Sequence, residues 1–252
     1  MKILALDTST NACSVALIEG SQQDFSCIER FKIAPRQHTQ LILPMIDSVL
    51  DEAGYDIKQI DSLAFGCGPG AFTGVRVATG VVQAIAYGAD LPVAQISSLA
   101  ALAQGFYQAR LNNIDLTDTT DKVLVANDAR MNEIYFAAYE LNRGFMTLTG
   151  TEYLIKPEQL DASLKNSIIL DDSWQLTGNG WLIYREQLSA VAGQCASLLY
   201  SDETMDKLSY PKAEDIAYLA FNEISNNALV RADQVSPVYL RNNVAKKPEK
   251  LA

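Results

Sequence analysis

Three short apolar runs open the chain: residues 3–7, 13–18 and 25–31, each rich in aliphatic or β-branched side chains and bounded by polar residues. Runs of this length predict strands, and connections this short predict an antiparallel meander. The period then changes. Leu41, Ile42, Met45, Ile46, Val49 and Leu50 recur at helical spacing, predicting a helix over 37–53 that stops at Gly54. Pro44 falls within its first two turns and predicts a displaced or kinked start. Strands over 62–67 and 92–96 and helices over 74–88 and 98–107 complete this part of the pattern.

The order β-β-β-α-β-α-β is that of a ribonuclease-H-like lobe. A polar stretch, 111–121, then marks a boundary. Beyond it the opening is partly repeated: Leu124–Asp128 leads into 134–139 as Ile3–Asp7 led into 13–18, and each aspartate is followed four residues later by Asn. Gly178-Asn179-Gly180 precedes a predicted helix, as Gly66-Cys67-Gly68 precedes one. The prediction is an α/β protein of two similar lobes, each a mixed sheet with flanking helices. The first spans 1–108 and the second 109–243, with the C-terminal segment as a candidate to pack back on the first lobe. Residues 244–252, with three lysines and Pro248, predict a mobile tail.

The helix over 74–88 has an unusual surface. From Val77 to Ala89 it carries no charge, and Val77, Val81, Val82, Ile85 and Tyr87 occupy all its sides. Such a helix is buried all round, either by its own chain or by a partner. Gly80, Ala84 and Gly88 fall four apart and make one smooth side for close approach. The expected interface joins these residues with His38, Leu41 and Met45 on the preceding helix.

Composition narrows the chemistry. The 252 residues hold 30 acidic against 20 basic side chains, and a net charge of −10 disfavours unaided nucleic-acid binding. One histidine, His38, excludes a metal site needing two imidazoles and gives no H-E-x-x-H motif. A packing role at a helix start is the expectation for it. No Ser sits in G-x-S-x-G. The four widely spaced cysteines predict reduced, mostly buried thiols in a cytoplasmic protein.

Two motifs remain. Asp7-Thr8-Ser9-Thr10 closes the first strand, where a carboxylate and hydroxyls suit a hydrated cation and phosphates, or else a self-satisfied turn. The segment Gly66-Cys67-Gly68-Pro69-Gly70-Ala71-Phe72-Thr73-Gly74-Val75-Arg76 packs four glycines into nine positions. Glycines there free the backbone to approach an anion at a helix start. Yet the segment lacks the P-loop lysine, and its spacing is not G-x-G-x-x-G. Asp128, Arg130 and Glu133 form a third cluster, read either as a cleft-facing site or as a salt-bridged turn.

Asp7-Thr8-Ser9-Thr10, Arg36-Gln37-His38 with Leu43-Pro44, the glycine-rich segment, Asp128-Ala129-Arg130 and Pro237-Val238-Tyr239-Leu240-Arg241 together resemble the TsaB (YeaZ) family. The matches span residues 3 to 241. The resemblance implies a two-lobed ASKHA (actin-like ATPase) fold and a bacterial dimerisation subunit of the complex that makes threonylcarbamoyladenosine in tRNA. Catalysis would belong to the paralogue TsaD, whose metal-binding histidine pair this chain lacks. Implied partners are TsaD, the ATPase TsaE and a second copy of the chain, with tRNA met only through the complex. Pairing would use the helices over 37–53 and 74–88. No intrinsic cofactor or metal is implied, with ATP or ADP placed, if anywhere, at the complex interface. Asp7, Thr8, Ser9, Gly68 and Gly70 would then be a vestigial nucleotide cleft. Rival readings are a self-sufficient ASKHA-type phosphotransferase using Asp7 and Asp128, a metallopeptidase, and a direct tRNA binder.

Overall fold

The computed structural model describes residues 1–111, 121–164, 168, 170–171, 173–195 and 208–241. The predicted tail, 244–252, and most of the 111–121 boundary lie outside the described residues. Strands β1 (Lys2–Asp7), β2 (Ala12–Gly20), β3 (Phe25–Ile33), β4 (Ser62–Gly68) and β5 (Val93–Ser97) form one sheet in the order β3-β2-β1-β4-β5. β1, β2 and β3 are antiparallel neighbours, whereas β4 and β5 run parallel to β1.

Alternation along β1 sorts its side chains to two cores. Leu4 and Leu6 face one cluster together with Cys13, Val15 and Leu17 of β2. Helices α1 (His38–Ala53) and α2 (Phe72–Ala89) cover it through Ile42, Ile46 and Val49, and through Ala78, Val82 and Ala86. Ile3, Ala5, Ala16 and Ile18 face the other side, covered by α7 (Ala213–Ser225) through Ile216, Ala217 and Ala220. Because both faces are covered, β1 and β4 read as unbroken apolar runs instead of alternating ones.

Pro44 lies inside α1 without breaking it, on the solvent side, and Gly54 caps the helix in the left-handed region. The α2 helix starts at Phe72, two residues ahead of the predicted position. The preceding Ala71 N–H is anchored to the Ser9 carbonyl at 2.7 Å, which sets the chain up to turn there.

The second sheet has the order β8-β7-β6-β9, from β6 (Lys122–Arg130), β7 (Glu133–Asn142), β8 (Phe145–Ile155) and β9 (Trp174–Thr177). β6 pairs antiparallel with β7 and parallel with β9, as β1 does with β2 and β4. Short helices α4 (Leu160–Leu164), α5 (Gly180–Ile183) and α6 (Ser189–Ala192) cover one face. The other face packs on α3 (Ser98–Leu111) through Leu99, Leu102, Ala103 and Phe106. β8 escapes the hydrophobic pattern because it is an edge strand: only Phe145 and Met146 are buried in it.

α3 is therefore shared by the two sheets, since Ala101 joins the core under α7. Its buried Gln104 bridges them in hydrogen bonds, accepting from the Met146 N–H at 2.9 Å and donating to the Gly144 carbonyl at 3.3 Å. No described helix is long and apolar enough to cross a membrane. Cys13, Cys67 and Cys195 are buried and Cys27 is half-buried, all unpaired, and burial pushes the first two thiols up to about 12.

Gln104→Leu should destabilise the chain by about 1–3 kcal/mol, because it strands the buried Met146 N–H. Urea denaturation monitored by circular dichroism measures the loss. An unchanged midpoint would remove the bridge from the account of lobe packing.

Candidate functional site at the ends of β1 and β4

The Asp7–Ser9 turn and the glycine-rich segment meet at the C-terminal ends of the parallel strands β1 and β4, the edge at which open α/β sheets take ligands. Both the backbone N–H and the hydroxyl of Ser9 donate to Asp7 Oδ1, each at 2.9 Å. Asp7 Oδ2 is buried and receives no hydrogen bond from a described residue. Burial pushes this carboxyl up to about 7, and the two bonds from Ser9 only partly oppose the shift.

What the glycines do is visible in their neighbours. Thr8 Oγ1 donates to the Gly74 carbonyl at 2.6 Å. A Cβ at Gly74 would come well under 3.0 Å from the Thr8 carbonyl oxygen, and one at Gly70 would strike Ser9. A Cβ at Gly66 would strike Asp7 Oδ2 itself. The segment thus packs first against the turn after β1. Gly68, at φ 110°, lies instead against the Val238 carbonyl. The five residues of the expected cleft, Asp7, Thr8, Ser9, Gly68 and Gly70, are brought together here.

The C-terminal segment crosses over this junction. Val238 N–H donates to the Cys67 carbonyl at 2.7 Å, and Ser236 N–H to Gln95 Oε1 at 2.8 Å. Arg76 lies 3.5 Å over the Phe72 ring and donates to the Tyr239 hydroxyl at 2.7 Å. Arg241 then reaches the second lobe, pairing with Glu133 and donating to the carbonyls of Ala129 and Arg130 at 3.1 and 3.3 Å. These carbonyls flank a turn in which Arg130, Met131 and Asn132 are all left-handed, at φ 62°, 58° and 57°.

The salt-bridged reading of the Asp128 cluster is corrected here. Glu133 pairs with Arg241, and Asp128 Oδ1 accepts from the Arg130 backbone at 2.9 Å and the Tyr184 hydroxyl at 2.9 Å. The straps formed by Arg76, Tyr239 and Arg241 were not assigned roles from the sequence, because their partners lie more than a hundred residues away. A second crossing joins the lobes: Glu152 of β8 accepts from Ser97 Oγ, and within its own sheet from the Tyr139 hydroxyl. Burial raises the Glu152 carboxyl above its ordinary range.

The expected interface residues lie apart from this turn, on the side of α1 and α2 turned from the sheet. Val77, Val81, Ile85, Leu41 and Met45 are half-buried at the rim of the core. Gly80, Ala84 and Gly88 are exposed, and Tyr87 is 85% exposed. Burial by the described residues therefore does not account for this uncharged side of α2. His38 opens α1 with Nε2 3.2 Å from the Ala12 carbonyl oxygen, a packing contact. Among the described residues no group of three or more His, Cys, Asp or Glu side chains is arranged to hold a metal ion.

Gly74→Ala should destabilise by at least the roughly 1–3 kcal/mol of an overpacked core, since both colliding groups are backbone. Thermal denaturation checks it. Asp7 makes a pH-dependent prediction. With its carboxyl raised in the folded state, the folded protein holds a proton that the unfolded chain releases between about pH 4 and about 7. Wild-type stability should fall over that window relative to Asp7→Asn, by up to about 1.4 kcal/mol per pH unit, and the gap should be level above it. A gap independent of pH would refute a buried, unpartnered carboxyl.

Residues 32–249 match the profile of the family described as TsaD, tRNA N6-adenosine threonylcarbamoyltransferase. The tRNA threonylcarbamoyladenosine biosynthesis protein TsaB of Escherichia coli is 37% identical over 97% of this chain and 96% of its own. Its counterpart in Haemophilus influenzae is 36% identical over 97% of this chain and 95% of its own. The solved structure of YeaZ from Pseudomonas aeruginosa aligns over 94% of this chain and all of its own, with 36% identity and a TM-score of 0.74. A further structure, described as similar to peptidase YeaZ from the same organism, gives 38% and 0.78 over 95% of this chain and 99% of its own. The repeated sheets, the helices flanking them and these relatives together establish a two-lobed ASKHA-like chain that belongs to the TsaB (YeaZ) family.

Proposed function

We propose that this chain acts in the biosynthesis of tRNA threonylcarbamoyladenosine as a non-catalytic scaffold in the cytoplasm. It pairs through α1 and α2 with the catalytic paralogue TsaD, or with a second copy of itself, and TsaE joins that assembly. tRNA is met through the complex. The names of the relatives in E. coli and H. influenzae support the pathway. The observation that carries the scaffold reading is the exposed, uncharged side of α2, where Gly80, Ala84, Tyr87 and Gly88 lie open beside half-buried Val77, Val81 and Ile85. A helix side without charge is a poor solvent-facing surface and a good one to bury against another helix. Asp7, Thr8, Ser9, Gly68 and Gly70 are, on this reading, a vestigial nucleotide cleft whose space is taken up by the packing of Ser9 on Gly70.

Val81→Glu should weaken pairing at least tenfold by setting an unpaired charge in an apolar contact. Sedimentation of the chain alone and with TsaD measures it, and undiminished association would reject the α1–α2 interface. A Cβ at Gly80 or Gly88 meets nothing within 4 Å in the isolated chain. Gly80→Ala should accordingly raise monomer stability by about 0.5–1 kcal/mol while weakening pairing. Reconstituted tRNA modification by TsaD and its partners should require this chain. ATP hydrolysis by the purified chain alone, lost in Asp7→Ala, would overturn the non-catalytic assignment in favour of a phosphotransferase.

A further inference from the structure

On the opposite face of the first sheet from α1 and α2, a cavity of about 450 Å³ opens between α3 and the start of α7. Its lining includes Phe25, Gly105, Tyr210, Lys212, Asp215 and Tyr218. Asp215 is only 6% exposed, and no described residue donates a hydrogen bond to it or pairs with it as an ion. Its Oδ2 occupies the place a Cβ at position 105 would take, so Gly105 is what lets the carboxylate sit against α3. We propose that this cavity is a binding site for a small organic cation, a primary amine or guanidinium on a short apolar stem, with Asp215 as its counter-ion.

Three features select that chemistry. The first is charge. The lining carries Glu214 and Asp215 against Lys212, with Glu29 of β3 close enough to act on Asp215, while the α3 residues that line it are uncharged. An anion is thereby disfavoured. The second is the wall. The Phe25 and Tyr218 rings lie 5.8 Å apart by centroids, and aromatic faces attract a desolvated cation. The third is the demand of Asp215 itself. Its burial and the nearby Glu214 and Glu29 raise its carboxyl well above the ordinary range despite Lys212. A buried carboxylate is stabilised by an ion-paired donor, and the described protein supplies none. A metal ion is a poorer fit, since no group of three suitable ligands occurs among the described residues. The volume is in the range of small-molecule pockets, about 300–1,000 Å³.

The test is calorimetric titration of the full chain with putrescine and with agmatine at low salt and pH 8, with sodium chloride of matched ionic strength as control. Saturable binding of at least one amine is expected, weakened tenfold or more in Asp215→Asn. Absence of saturation by both, or equal affinity in that variant, would overturn the proposal. Circular dichroism first establishes that the variant folds. If it does not, Lys212→Met and Glu214→Gln decide: by Coulomb's law the first should tighten amine binding and the second weaken it, each by about threefold. No change in either would reject the site.

Discussion

Everything in the first lobe is arranged around one close approach, that of the Thr8–Ser9 backbone to the segment entering α2. Atoms of Thr8 and Ser9, mostly main-chain, lie where side chains at 70 and 74 would stand. The contact is locked by the Thr8 hydroxyl on the Gly74 carbonyl and the Ser9 carbonyl on the Ala71 N–H. It determines where α2 begins, and through α2 it determines which helix side is turned to the core. The same approach seals Asp7 from water, which is why its carboxyl is displaced so far from the ordinary range. The glycines that suggested an anion cradle are thus used, at positions 66, 70 and 74, to bring protein against protein.

The second lobe repeats the device with different residues. Gly178 and Gly180 abut the Ala126 carbonyl, and Asn179 Oδ1 accepts from the Asp128 N–H at 2.8 Å. A short loop after the fourth strand of each repeat leans on the end of its first strand. Among the described residues the lobes are tied by apolar packing through α3, the Gln104 hydrogen bonds to Gly144 and Met146, the Ser97–Glu152 hydrogen bond and the C-terminal strap ending in Arg241. With so many crossings, the interlobe geometry is held by many modest interactions, each worth on the order of 1 kcal/mol or a little more.

Against this packed interior, the outer side of α2 stands apart. It has neither the charges of an ordinary surface helix nor a covering element among the described residues. The relatives place the chain in a family named for a shared biosynthetic task. The scaffold reading joins that membership to the bare helix side. His38, the lone imidazole, is occupied with the Ala12 carbonyl.

Much of this was legible in the sequence. Strand and helix order in the first lobe follows from apolar spacing, because the period of buried positions is set by local backbone geometry. The repeat was visible because Asp7 and Asp128 stand at the C-terminal ends of equivalent strands, and the uncharged run from Val77 to Ala89 needs no structure to be seen. Edge strand β8 was not legible, since burial on one end alone leaves no alternation to detect. Nor were the partners of Arg241, Glu152 and Gln104, or the cavity around Asp215, since each joins segments distant in the chain. Local pattern determined the elements and marked the glycines and the bare helix. Only the tertiary structure decided what the glycines touch, because a missing Cβ states that something is close without saying what it is.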